Sequence, residues 1–270
     1  FSLPRLSRKD VLDHNLNRNY RCILGRETSI QNVEWVNDWP SLPGGGRTPL
    51  DSFEIPDDEI IQRDSAYELL TDFEESSLPL EMQTLRLPFE ESVMSLTRNK
   101  GFLTLSGRDS PGSKQFQTVV GIRQKHFTFT VKTSVEFSPV NFQQMAGLMY
   151  RYNEDTFYYI NITYNEDRSE RVINLLVMDN GFLSIHNETS IDSERVFMKI
   201  HVNSDKVMFY YSIDDSFWIS LGNEYDATII SDEYIKPYYG FTGAFICLGC
   251  HDWSGQKLDA KFDFLNYNKL

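Results

Sequence analysis

The chain has 270 residues and a formal charge of −13, from 39 acids against 26 bases; such a surface repels a phosphate backbone, so no nucleic-acid partner is expected. Hydrophobic residues make up 40%, the composition of a globular chain and not of a disordered one. No apolar run approaches about 18 residues, so no membrane span is expected, and three Cys are too few for a disulfide framework.

Residue 1 is Phe, and no basic region followed by an apolar stretch marks a signal peptide. The chain reads as cut from something longer, or processed. Arg, Lys and Asn crowd positions 5–21, which reads as loop. Cys22-Ile23-Leu24 then runs to Gly25, and a second strand-like stretch runs from Ile30 to Val36 and ends at Trp39-Pro40. Two short strands around a polar corner point to part of a sheet, not a domain. Pro43-Gly44-Gly45-Gly46 marks a turn or linker. Residues 51–80 hold ten acids and one Arg, the composition of a solvated acidic connector; the acids lack the regular spacing of a calcium loop.

From about residue 81 the pattern changes. Phe127, Phe129, Val131, Thr133, Val135 and Phe137 alternate with mostly polar neighbours, as do Tyr158, Ile160, Ile162 and Tyr164. Met198, Ile200 and Val202, then Val207, Phe209 and Tyr211, repeat the pattern. Period-2 alternation predicts half-buried strands. Asn153-Glu154-Asp155, Asn165-Glu166-Asp167, Asp179-Asn180-Gly181 and Asn203-Ser204-Asp205 supply the turns between them. Regularly spaced strands with turn signals predict an all-β sandwich or barrel.

The reactive residues are sparse. Cys247 and Cys250 form a CxxC, but on the predicted strand that begins at Gly243-Ala244-Phe245-Ile246, where positions three apart face opposite sides. A redox pair or shared metal is therefore not expected. His251-Asp252 is adjacent in sequence, whereas a triad is a spatial arrangement, and no Gly-x-Ser-x-Gly elbow occurs. Gly44-Gly45-Gly46 lacks the Lys-Ser/Thr of a phosphate loop. The 39 acids single out no glycosidase pair. Asn161-Ile162-Thr163 and Asn187-Glu188-Thr189 fit the glycosylation sequon, with Asn161 inside a predicted strand. Asp263, in Phe262-Asp263-Phe264, is a candidate for structural Ca2+ or an outward polar residue on an alternating strand; no other cofactor is expected.

Leu24-Gly25-Arg26-Glu27-Thr28-Ser29-Ile30-Gln31, followed by Val33-Glu34-Trp35 and Asp38-Trp39-Pro40, resembles the end of the catalytic domain of glycoside hydrolase family 43, the β-xylosidase and α-L-arabinofuranosidase family. Gln144-Met145-Ala146-Gly147-Leu148 with Tyr158-Tyr159, and Gly240-Phe241-Thr242-Gly243-Ala244-Phe245 with Asp252, Ser254-Gly255 and Asp263-Phe264, resemble that family's C-terminal domain, in the same order. The resemblance implies an all-β chain. Residues 1–42 are the remnant of a five-bladed β-propeller, 43–80 an acidic linker, and 81–270 a concanavalin A-like β-sandwich, a jelly roll. Residues 1–40 would then hold strand edges without partner blades, expected to be mobile, docked on the sandwich, or paired between chains.

It also implies inverting hydrolysis of a xylo-oligosaccharide or arabinoside, with the general base Asp and general acid Glu in blades missing from this chain. No catalytic residue is therefore assigned here. Two substrate-binding residues carry over. Arg26 matches an Arg on the floor of the sugar pocket, where a guanidinium hydrogen-bonds hydroxyls and keeps carboxylates ionised. Phe241 matches an aromatic that closes the pocket from a sandwich loop; Phe245 is the alternative, although its alternation with Cys247 fits core packing. The implied partners are the missing propeller and further copies of the chain, and the implied compartment is the cytoplasm. The competing reading is a free-standing carbohydrate-binding sandwich with Tyr150, Tyr152 and Phe157 as a sugar platform; an intact enzyme with unrecognised carboxylates is a third.

Overall fold

Alternating β-branched and aromatic residues build strands because each pleat buries one side chain and exposes the next. The computed structural model describes residues 21–25, 32–43, 67–236 and 240–270. In chain order its strands are β1 Glu34–Val36, β2 Trp39–Ser41, β3 Glu68–Thr71, β4 Met82–Thr84, β5 Met94–Ser95, β6 Leu103–Ser106, β7 Thr118–Arg123, β8 Thr128–Glu136 and β9 Gln144–Asn153. They continue as β10 Thr156–Asn165, β11 Glu170–Asp179, β12 Phe182–Ser190, β13 Arg195–Asn203, β14 Lys206–Ser212, β15 Ile219–Ser220, β16 Tyr225–Asp226, β17 Phe245–Asp252 and β18 Asp259–Lys269. Among the described residues, no helix is long and apolar enough to cross a membrane.

The chain divides into two compact units, residues 1–16 with 26–65, and residues 17–25 with 66–270. The described part of the first is the β1–β2 hairpin, in which Val36 pairs with Trp39. Its two turn residues, Asn37 and Asp38, both have positive φ, as a two-residue hairpin turn demands.

The second unit is a sandwich of two antiparallel sheets. One runs β12-β11-β10-β9-β17-β7-β4; the other runs β15-β14-β13-β8-β18-β6-β5, with β16 beside β14 and β3 beside β18. The predicted turns join the long neighbours. Between β11 and β12, Asn180 and Gly181 both have positive φ. The core lies between the sheets: Leu148, Ile160, Leu175 and Ile246 of the first meet Val131, Met198, Ile200 and Phe209 of the second in one buried cluster. Burying one such side chain fully is worth about 1.5–3 kcal/mol.

β8 and β13 alternate as expected, buried inward and part-exposed outward. β9 and β10 do not: nearly every residue is buried. Their outer face carries a second cluster, with Met149, Phe157, Tyr159, Leu176 and Cys247. The residues between β6 and β7 cover it. There the Asp109 carbonyl accepts from His251 Nδ1 at 2.8 Å, and Gly112 approaches Met178. Cys247 belongs to this outer cluster and Cys250 to the core, so the two thiols face opposite sides.

The sandwich begins earlier than residue 81. Residues 68–71 form β3 and pair with Leu265–Asn268 of β18, and Phe73 is buried in the core. The apolar residues between the acids, Leu69 and Phe73 among them, find the core, while Glu68 and Leu70 face solvent.

Candidate functional site

The site is built around Phe241, which stands 62% exposed on a short loop leading into β17. Backbone hydrogen bonds fix that loop on both sides of the ring. The Gly240 N–H donates to the Asp232 carbonyl at 3.0 Å. The Thr242 N–H donates to Tyr152 Oη at 3.3 Å, and the Gly243 N–H to Asp232 Oδ1 at 2.9 Å. Tyr152, from β9, closes the arrangement by donating to the same Oδ1 at 2.7 Å. Burial pushes the Tyr152 phenol up, which keeps it the donor. Asp232 is 5% exposed, so one buried carboxylate and its own carbonyl hold the loop at two points.

The segment that leads towards Arg26 docks on the same structure. Cys22, Ile23 and Leu24 are buried. The Cys22 N–H donates to Glu233 Oε2 at 2.8 Å, and the Ala244 N–H donates to the Ile23 carbonyl at 3.0 Å. Arg123 Nη2 donates to the Leu24 carbonyl at 2.9 Å. Arg21 ion-pairs with Asp226 at 3.7 Å and lies 4.3 Å over the Tyr234 ring. Residues 21–25 are therefore docked on the sandwich, one of the three outcomes expected for unpartnered strand segments. Arg26 itself lies outside the described residues, as do Tyr238 and Tyr239.

Phe245, on β17, is half-buried and packs against the outer cluster. Phe241 and Phe245 both line a cavity of about 380 Å³. Of the two aromatics, only Phe241 projects mainly into solvent.

The remaining candidates are placed as follows. Asp263 accepts from Arg195 Nη1 at 2.9 Å, and the same guanidinium pairs with Glu136 at 2.8 Å, which Lys261 also approaches at 3.3 Å. Burial pushes the Glu136 carboxyl up, but the hydrogen bonds and charges of Arg195 and Lys261 outweigh it and hold the group low. An arginine thus takes the Asp263 carboxylate that the calcium expectation reserved for a cation. Among the described residues, no group of three His, Cys, Asp or Glu is placed to hold a metal. The platform expected of a free-standing binding sandwich is not there: Tyr150 and Phe157 are fully buried and Tyr152 is 8% exposed. Asn161 is buried and donates to Tyr159 O and Asn174 Oδ1, so its sequon is closed to modification in the fold.

Sequence reasoning missed Asp232 and Glu233, and it named Tyr152 only for a sugar platform, not as the partner of the Phe241 loop. Nothing in their spacing sets the two acids apart from the others of the chain. The one available signal is that Asp232-Glu233 lies just before the Phe241 loop.

Comparison with known proteins identifies the family. Residues 70–268 match the family model of the β-xylosidase C-terminal concanavalin A-like domain. A putative β-xylosidase of Escherichia coli K12 is 37% identical over 256 residues, covering 92% of this chain and 47% of the relative. A β-xylosidase of Bacillus subtilis 168 is 34% identical over 254 residues, again 92% and 47%. The crystal structure of a xylan β-1,4-xylosidase from Bacillus halodurans C-125 superposes with a TM-score of 0.82 at 30% identity, covering 93% of this chain and 49% of that one. The chain spans about half the length of the curated relatives it matches. It belongs to the β-xylosidase C-terminal concanavalin A-like domain family of glycoside hydrolase family 43.

Proposed function

We propose that this chain is the C-terminal part of a β-xylosidase-type glycoside hydrolase, in which the sandwich completes a sugar pocket whose acid and base stand on a catalytic propeller. The reaction is inverting hydrolysis at the non-reducing end of a xylo-oligosaccharide, with an arabinoside as the related substrate. Phe241 closes the pocket, and Arg26, one residue beyond the docked Cys22–Gly25 segment, reaches its floor. The observation that carries this reading is Phe241: a large aromatic 62% exposed on a loop fastened to buried Asp232. An exposed aromatic on a fixed loop has a face to offer a sugar ring and excludes water on closure.

The hairpin of the first unit supports the propeller remnant. Trp35 and Trp39 are 72% and 73% exposed, the kind of apolar surface that belongs against further structure. Association between copies fits the edge of β12, which pairs only with β11 among the described residues, where Phe182, Leu183 and Ile185 are all exposed and no Lys, Arg or Pro guards the strand. The buried, unbridged thiols of Cys247 and Cys250 suit a cytoplasmic protein.

Hydrolysis of an aryl β-D-xyloside tests the proposal. The purified 270-residue chain is measured alone and joined to a family 43 propeller. Turnover only in the joined protein is the expected result. Turnover by the chain alone, or none by a correctly folded joined protein, would overturn it.

A further inference from the structure

The 380 Å³ cavity beside Phe241 has a charge that its surroundings do not explain. Its wall includes Arg86, Val119, Arg151, Phe241, Phe245 and Cys247. Arg151, on β9, is 5% exposed, and its Nε and Nη2 are enclosed without a hydrogen-bond partner. The nearest acid, Glu154, stands 3.6 Å from Nη2 but is already hydrogen-bonded by Arg86. Two guanidiniums therefore share one carboxylate. Cys247 does not offset the surplus, because burial pushes its thiol up to about 12 and it stays protonated.

A buried cation short of acceptors is costly to keep. This one sits in a chain of net charge −13, so the positive wall is local. The other walls mix apolar Leu85, Val119, Phe241 and Phe245 with polar Gln83 and Asn153, and the volume lies in the lower part of the range for small-molecule sites, which begins near 300 Å³. We propose that this cavity binds a monocarboxylate of single-sugar size, a uronic acid, whose carboxylate completes the acceptors of Arg151 and whose ring lies against Phe241 and Phe245. A carboxylate suits a guanidinium by charge and by shape. A free sugar acid and a terminal uronic acid on a glycan present the same groups, so both sources share one chemistry. The proposal does not depend on a propeller, because binding is read on this chain.

The experiment is isothermal titration calorimetry of the 270-residue chain with sodium D-glucuronate. D-glucose, sodium acetate and a glucuronic-acid-bearing xylo-oligosaccharide are titrated in parallel. Glucuronate is expected to bind about tenfold or more tightly than glucose or acetate, since neither supplies both charge and ring. Arg151→Met is expected to weaken glucuronate binding about tenfold or more while keeping its melting temperature, because replacing an incompletely paired buried charge by an apolar side chain is often neutral or stabilising. Should that variant fail to fold, Arg86→Gln, on the cavity rim, tests the same charge and weakens binding in the same direction. Tighter binding of the decorated oligosaccharide assigns the source to a glycan; binding no tighter than glucuronate assigns it to the free acid. No heat with glucuronate, equal binding by acetate, or undiminished binding in the folded Arg151→Met chain would overturn the proposal and leave a hydrated gap around Arg151.

Discussion

Gly25 and Gly243 pack backbone against backbone. A Cβ on Gly25 would lie 2.5 Å from the Gly243 nitrogen, and one on Gly243 would lie 2.5 Å from the Leu24 carbonyl oxygen. Both have positive φ, 72° and 71°, where an L side chain is strained even with room to spare. This contact locks the segment before Arg26 to the loop that carries Phe241. Gly243→Ala is therefore expected to cost more than the about 1–3 kcal/mol of local backbone strain alone. Gly181→Ala, at positive φ with nothing within 4 Å, isolates that strain as a control. Urea unfolding of the two variants compares them, and equal losses would count against the clasp.

Asp232 acts on Phe241 through the loop, not through solvent. If so, Asp232→Ala and Phe241→Ala impair the same function, and the double variant of the propeller-joined protein falls little further than Phe241→Ala alone. Strict additivity in aryl xyloside kcat/KM would show that Asp232 only supports the fold. Asp232→Asn, which retains an acceptor oxygen, is expected to restore most of the loss.

His251 provides a pH test. Burial lowers its pKa from 6.5 to about 4, against an opposing hydrogen bond to the Asp109 carbonyl. In the unfolded chain it binds a proton below pH 6.5, and in the fold only near pH 4. The unfolded state thus holds more protons in that window, so stability falls as pH drops from 6.5 to 4, by about 3 kcal/mol from this group. Carboxylates held low, such as Glu136 and Glu154, add loss in the same direction. The difference in slope between wild type and His251→Gln isolates the histidine. Parallel pH profiles by urea unfolding would remove this role from His251.

The edge of β12 makes a prediction about assembly. Phe182 is 82% exposed and Ile185 59%, so replacing them is expected to leave the melting temperature nearly unchanged. Phe182→Asp combined with Ile185→Lys places charge on an apolar edge and is expected to convert an associated wild type to monomer in sedimentation velocity. A monomeric wild type, or an unaltered assembly in the variant, would contradict association through this strand.

Much of this architecture is legible in the sequence, for identifiable reasons. Phe129, Val131 and Val135 alternate because only one face of β8 meets the core. Asn180-Gly181 reads as a turn because both residues tolerate positive φ. Cys247 and Cys250 separate because a strand has period two. The outer burial of Phe157 and Tyr159 was not legible, since the segment that covers them, between β6 and β7, has no period of its own. β3 was hidden because acids surround it. The site divides the same way: Phe241 stands in a short motif, Gly240-Phe241-Thr242-Gly243, whereas Asp232 and Arg151 acquire their roles from contacts with β9, β17 and the loops between strands. Local pattern carries the first and not the second.

The central claim is that the sandwich supplies part of a sugar pocket through Phe241. It is tested most directly by kcat/KM for an aryl β-D-xyloside in the propeller-joined protein before and after Phe241→Ala. The ring is 62% exposed, so the variant is expected to melt within about 1 kcal/mol of wild type while kcat/KM falls about tenfold or more, the loss of an aromatic contact worth at least about 1.4 kcal/mol at the transition state. An unchanged kcat/KM with an intact fold would contradict the claim.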